Sequence, residues 1–301
     1  MYRIAVISDQ ALPAALVDGT ATISAWCFQG MAAAPRVNTD AAPVFATVDA
    51  LLAEEKKPDL VVIQTRTGYH AEYAIKAFQA GCPVLCNGPL CLTGSAAWQI
   101  LETARYTGQP FQVQQADLHF WREAGAALGD VSSFHAWARG TDGSAGERFP
   151  DGGRLYTVFY PLVEALSALL GPVETVSGSL SETSPEGLET GGNARIGLPG
   201  GGTGYLDWSA LASDVPPGFS IEVDGANGSL RVDGTFDGDR LSLSNVETIG
   251  FDGSDPAPGP GAEELLHRAL RGELVPEWAP FPALRAVEWI DRIYSRLRQG
   301  S

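Results

Sequence analysis

Over the first 117 residues, short β-branched runs alternate with apolar patterns of helical spacing, as in βαβ units built on a parallel sheet. Strands are expected at Tyr2 to Ser8, Thr22 to Gln29, weakly near Val44, Asp59 to Thr65, Pro83 to Cys86 and Pro110 to Gln115. The fourth of these, Leu-Val-Val-Ile at its centre, is apolar at every position, as a strand covered on both faces must be. Helices are expected from Val48 to Lys57, from Tyr69 to Gly81, and from Ser95 to Thr107 behind the capping residue Thr93. The sum is a six-stranded, doubly wound α/β domain.

Beyond His119 the period changes. Alternating runs at Val131 to Ala138, Glu174 to Ser181, Ala194 to Leu198, Gly204 to Ala210, Ser220 to Val223, Ser229 to Val232 and Arg240 to Ser244 are separated by Gly, Asp, Asn and Pro, the texture of an antiparallel sheet. One helix, Arg154 to Leu170, is inserted among them, and two, Ala262 to Arg271 and Phe281 to Arg298, close the chain. In the last, Leu284, Val287, Ile290, Ile293, Tyr294 and Leu297 form an apolar stripe. The expected division is residues 1–117, then an α+β domain at 118–301 whose final helix returns toward the first. Gly250 to Gly261 reads as a loop, and Pro199 to Gly204 as a hairpin turn, since it lacks the Gly-Lys-Ser/Thr ending of a phosphate loop.

Composition narrows the partners. Of 301 residues, 45% are apolar, enough for real cores, and 36 acidic against 20 basic residues give a formal charge of -16, which repels nucleic acid and anionic membrane alike. No apolar stretch approaches a membrane span, and Tyr2 to Ile7 lacks the basic lead of a signal peptide, so a cytoplasmic protein is expected. Cys27, Cys82, Cys86 and Cys91 have neither zinc-site nor secreted-framework spacing, so reduced cysteines and no metal are expected. Only three lysines occur, Lys56, Lys57 and Lys76, against seventeen arginines.

Four stretches together resemble the glucose-fructose oxidoreductase and inositol dehydrogenase (Gfo/Idh/MocA) family. They are Pro58 to Thr65 running into His70-Ala-Glu72, then Ala80 to Leu90, then Asp151-Gly-Gly-Arg-Leu155 running to Gly171, and Leu284 to Ile290. The resemblance implies a Rossmann-type NAD(P)-binding domain followed by the α+β substrate domain, and self-association into dimers or tetramers through the second-domain sheet. Each working part departs from the family pattern. The segment Ser8-Asp-Gln-Ala-Leu-Pro13 has no glycine where the pyrophosphate loop needs one, Asp9 adds a negative charge, and Pro13 removes a backbone donor. Phe28-Gln-Gly-Met31 carries neither the ribose acid nor a phosphate-binding base. Gly88 stands at the lysine of the family's Glu-Lys-Pro, with no lysine after Lys76 to replace it. Thr157 and Pro161 stand at its aspartate and histidine, and neither transfers a proton at neutral pH.

The resemblance therefore implies a scaffold that has lost nicotinamide-dependent sugar dehydrogenation and binds a small molecule, as a non-redox enzyme or a non-catalytic subunit, with no cofactor expected. An atypical NAD(P)-dependent imine or carbonyl reductase with a tyrosine acid is the alternative, and a structural partner of an active paralogue, in a hetero-oligomer, is another. Were NAD or NADP to bind, Ser8, Gln10, Thr65 and Asn87 would meet it. Tyr156 and Tyr160 share a helix face beside the emptied positions, as phenol acids or as core. His70 begins its helix either as a ligand contact or as a structural group. Arg66, Arg148 and Arg154 are anion clamps or charge balance. Cys86 and Cys91 bracket Asn87-Gly88-Pro89 as reactive thiols or inert core, and Asp207 and Trp208 face either the cleft or a partner subunit.

Overall fold

The computed structural model describes residues 2–9, 21–28, 42–115, 118–140, 152–181, 188–210, 216–237, 240–251 and 262–298. They form two compact units, residues 1–115 with 260–284 and residues 116–259 with 285–301.

In the first unit, strands β1 (Tyr2–Ser8), β2 (Ala21–Phe28), β3 (Val44–Phe45), β4 (Leu60–Gln64), β5 (Val84–Asn87) and β6 (Phe111–Gln114) form a parallel sheet in the order β3-β2-β1-β4-β5-β6. This is the doubly wound arrangement expected from the alternating pattern. Helices α1 (Val48–Leu52), α2 (Thr67–Gln79) and α3 (Gly94–Thr107) connect the later strands. Thr93 caps α3 as expected, its hydroxyl accepting the Ala96 N–H, and Gly108 closes the helix at φ +68°. Helix α1 ends five residues short of Lys57 because residues 54–57 are exposed and offer no apolar stripe to bury.

Residues 262–278 belong to this unit, which moves the domain division from the single cut at 117. Helix α7 (Ala262–Leu270) and a 3-10 turn, Pro276–Trp278, set Leu265, Leu266, Ala269, Leu270, Val275 and Trp278 against Ile4, Val6, Trp26, Val62 and Leu85. Burying this many apolar side chains is the main cohesive term, and two glutamines fix the segment's register. Gln112 donates to Glu273 O (3.1 Å) and accepts from Val275 N–H (2.7 Å), while Gln115 donates to Ala279 O (2.7 Å).

The second unit is built on seven strands: β7 (Val131–Gly140), β8 (Thr175–Leu180), β9 (Gly191–Gly197), β10 (Thr203–Ala210), β11 (Gly218–Gly225), β12 (Gly228–Asp237) and β13 (Arg240–Ile249), in the order β13-β12-β11-β7-β10-β9-β8. The sheet is mostly antiparallel as expected, but β10 runs parallel to β7. Residues 198–202 make the expected hairpin turn, with Gly200 and Gly201 at φ +100° and +93°. Along β7 and β10, buried and accessible residues alternate, leaving Trp137, Tyr205, His135 and Asp207 on an outer face.

Helix α4 (His119–Leu128) was not expected, although Trp121, Ala124 and Leu128 have helical spacing and are buried. The inserted helix is two pieces, α5 (Arg154–Thr157) and α6 (Tyr160–Leu170). Pro161 lies in the first turn of α6, where its missing N–H has no intrahelical partner to lose, so a new helix starts in place of a kinked one. The last helix, α8 (Pro280–Leu297), is fastened within the second unit from residue 285 on, with Trp289 Nε1 donating to Gly171 O (2.8 Å). The returning element is thus residues 262–284.

Candidate functional site

The carboxyl ends of the first sheet are where open α/β sheets bind ligands. Strand register places Ser8 beside Gln64, and Asn87 beside Gln114, along this edge. Ser8 is fully buried and its hydroxyl donates to Gln64 O (3.2 Å). Asp9 follows, and its Oδ2 accepts the N–H of Arg66 at the start of α2 (2.9 Å) and lies 3.9 Å from the Arg66 Nε. The other oxygen, Oδ1, is buried without a hydrogen-bond partner, as is Asn87 Oδ1.

His70, in the first turn of α2, is buried, with Nδ1 2.8 Å from Pro89 O and Nε2 2.6 Å from Thr65 O. It ties the end of β4 to the Gly88–Pro89 turn, whose peptide is cis. Burial pulls its pKa below the ordinary value, opposed by the carbonyls of Thr65 and Pro89 and by the Asp9 charge. A neutral ring carries one proton and donates to one of the two carbonyls. With both ring nitrogens against backbone oxygens, the structural reading of His70 has the geometry on its side.

Gly88, where the resemblance implies a lysine, donates its N–H to Gln114 O (3.1 Å) and has no side chain. The flanking thiols are equally spent: Cys86 and Cys91 are buried, their sulfurs lie 3.4 and 3.2 Å from Asn87 O and Thr93 O, and burial pushes the Cys86 thiol well up. A thiol so held is a poor nucleophile.

In the second unit the Gly152-Gly153 entry is closed by a buried carboxylate. Glu189 Oε1 accepts the Arg154 N–H (2.6 Å) and the Tyr294 hydroxyl, which in turn accepts the Leu155 N–H (3.0 Å). A Cβ on Gly153 would lie 2.1 Å from the Tyr294 oxygen, so only glycine fits. Burial, then the Glu189 charge, raises the Tyr294 phenol well above its ordinary value.

Tyr156 is buried with its ring 6.0 Å from that of Tyr294, and Tyr160, Arg154 and Pro161 are buried too, whereas Thr157 is exposed. This environment favours the core reading of both tyrosines. Glu189 was missed because it lies in a Gly, Ser, Thr and Glu-rich stretch with no period. Asp207 pairs with His135 (3.0 Å) on the outer face, where Trp137, Arg139, Asn193, Asp207 and Ser209 line an open depression of about 400 Å³, while Trp208 is buried in the opposite direction. Gln10 and Arg148 lie outside the described residues, and among those described no three His, Cys, Asp or Glu converge as metal ligands.

A dinucleotide needs donors for its pyrophosphate. At the end of β1 the described donors, the Ser8 hydroxyl and the Arg66 N–H, are committed, and the orphaned atoms are acceptors. Around the end of β1, then, these two donors are not available to a pyrophosphate, and residues 10–20, which follow, lie outside the described residues.

Residues 8–115 match GFO_IDH_MocA, an oxidoreductase family with an NAD-binding Rossmann fold. A dTDP-3,4-didehydro-2,6-dideoxy-alpha-D-glucose 3-reductase of Streptomyces violaceoruber is 30% identical over 202 residues, covering 62% of this chain, and the chain spans 58% of that relative's length. D-xylose 1-dehydrogenase (NADP(+)) 2 of Haloferax volcanii is 25% identical over 85% of this chain and 83% of its own. The WlbA dehydrogenase of Bordetella pertussis, solved with NADH and UDP-GlcNAcA, superposes with a TM-score of 0.79 at 19% identity, covering 100% of this chain and 96% of that one, which establishes a shared fold. Among the described residues no helix is long and apolar enough to cross a membrane.

Proposed function

Because residues 8–115 match the Gfo/Idh/MocA oxidoreductase family with its NAD-binding Rossmann fold, we propose that the chain keeps the family scaffold but has lost nicotinamide-dependent sugar dehydrogenation. In this reading it binds a small molecule, as a non-redox enzyme or a non-catalytic subunit. The observation that carries the reading is the state of the three proton-transfer positions. Gly88 has no side chain, Thr157 cannot transfer a proton at neutral pH, and Pro161 is a buried ring. Loss of all three removes the means of moving a proton to or from a hydroxyl while hydride leaves its carbon. His70 is no substitute, since its ring faces two backbone carbonyls.

What remains for this chain's residues is binding. Asn87 and Asp9 present acceptor oxygens at the sheet edge, Ser8 and His70 lock the ends of β1, β4 and β5, and no described side chain there is placed to relay a proton. The outer face of the second sheet, with Trp137 and Tyr205 exposed, suits association of identical copies, or of this chain with a paralogue.

The test is titration of purified, cofactor-stripped protein with NADH and NADPH, followed by tryptophan fluorescence and thermal shift, then by absorbance at the nicotinamide band with sugars added. The expected result is no turnover with any sugar. A site saturated at 100 times its dissociation constant adds about 2.7 kcal/mol of stability, which a melting curve reports. The similarity to a dTDP-sugar 3-reductase supports the second reading, an NAD(P)-dependent imine or carbonyl reductase with Tyr156 or Tyr160 as acid. Steady oxidation of NADPH by such a substrate, abolished by Tyr156→Phe or Tyr160→Phe, would establish it and overturn the first.

A further inference from the structure

We propose that Asp9 is a built-in anion that keeps phosphate-bearing molecules away from the carboxyl edge of the first sheet, leaving that edge to a phosphate-free ligand that donates a hydrogen bond. This deepens the reading above by naming the ligand class that the retained scaffold admits. Three observations carry it. First, Asp9 leaves β1 beside the start of α2, and its Oδ2 already holds the Arg66 N–H (2.9 Å), one of the backbone donors that a helix start otherwise offers to anions. The Arg66 guanidinium is also turned to it, with Nε 3.9 Å away. Second, the neighbouring hydroxyl of Ser8 points its proton at Gln64 O and is fully buried, so it offers nothing to a phosphate oxygen. Third, Asp9 Oδ1 is buried and without a partner. A phosphate oxygen, which only accepts, repels that atom, whereas a hydroxyl or amide N–H satisfies it.

The test compares ADP with adenosine, which carries the same base and ribose without phosphate. Binding of each is measured by calorimetry on the full-length wild type, Asp9→Asn and Asp9→Gly. The asparagine variant keeps an acceptor for the Arg66 N–H while removing the charge, and the glycine variant also removes the side chain. Wild type is expected to bind adenosine more tightly than ADP. Both variants should bind ADP at least tenfold more tightly than wild type does and adenosine several-fold more weakly, since each loses the carboxylate acceptor at Oδ1, and the gain for ADP should shrink as salt is raised. The inference is overturned if Asp9→Asn melts as cooperatively as wild type yet binds ADP no more tightly, or if wild type prefers ADP. A wild type that binds ADP tightly but turns over no nicotinamide overturns this inference alone. Wild-type turnover of NADPH overturns the functional reading.

Discussion

Two glycine turns occupy the places where the family resemblance puts chemistry, and they have been rebuilt in opposite ways. At Gly88–Pro89 in the first unit, the clamp is an imidazole between two backbone carbonyls, with acceptor atoms of Asp9 and Asn87 left over nearby. At Gly152–Gly153 in the second, the clamp is a carboxylate that gathers donors, and neither Glu189 nor Tyr294 has an orphaned atom. A buried carboxylate whose donors are in place holds the turn it closes, whereas unpaired acceptors at a sheet edge are what a ligand can complete. The comparison sets a second turn closed by Glu189 and Tyr294 against a first turn that leaves acceptors unpaired beside it.

Among the polar groups, the largest effect should come from breaking the second turn. Glu189→Ala removes the acceptor for the Arg154 N–H and the Tyr294 hydroxyl, leaving two buried donors unpaired at about 1–3 kcal/mol each. The expected loss is about 2–5 kcal/mol, read as a fall of roughly 5–15 °C in Tm. Glu189→Gln, which keeps an acceptor, should recover at least half of it. A loss under about 1 kcal/mol would show that the carboxylate is not holding the turn.

The same manoeuvre in the first unit should cost less. His70→Gln forfeits one ring hydrogen bond and some packing, about 1–2 kcal/mol by urea denaturation. It also has a signature in pH. Burial holds the folded-state pKa of His70 below its ordinary 6.5, so the unfolded chain takes up the proton first as pH falls. The contribution of His70 is complete above that ordinary value and is lost as pH drops toward the folded value. Between pH 7.5 and 5.5 wild type should therefore lose more stability than His70→Gln does. Parallel pH profiles for the two would mean that the ring is not buried neutral.

How far the sequence foretold this contrast depends on which residues carry it. The parallel sheet was legible because Leu60 to Ile63 is apolar at every position, and α3 because Thr93 caps it. Those signals are local, as are the residue types at Gly88, Thr157 and Pro161 on which the proposed loss of dehydrogenation rests. Partners were not legible. Nothing in Val131 to Gly140 or Thr203 to Ala210 states which strand lies beside which, so the parallel β7–β10 pair had no sequence signature. Ala262 to Arg271 was expected as a helix and is one over Ala262–Leu270, but a helical pattern does not say which domain buries it. Glu189 sits in an aperiodic stretch, and its importance arises only because Tyr294, 105 residues later, meets it.

The smallest effect separates core from chemistry at the tyrosines. Tyr156→Phe keeps the ring that packs 6.0 Å from Tyr294 and removes only a hydroxyl, so the expected change is within about 0.5–1.5 kcal/mol, near the limit of a denaturation experiment. Tyr156→Ala, which empties the space, should cost about 3–5 kcal/mol, as for other large aromatic truncations. A wide gap between the two substitutions, with ligand binding at the first-unit edge untouched by Tyr156→Phe, is the behaviour of a packed ring. If the hydroxyl alone abolished a reaction while stability held, the second turn would be a working site after all, and the contrast with Gly88–Pro89 would have to be drawn the other way round.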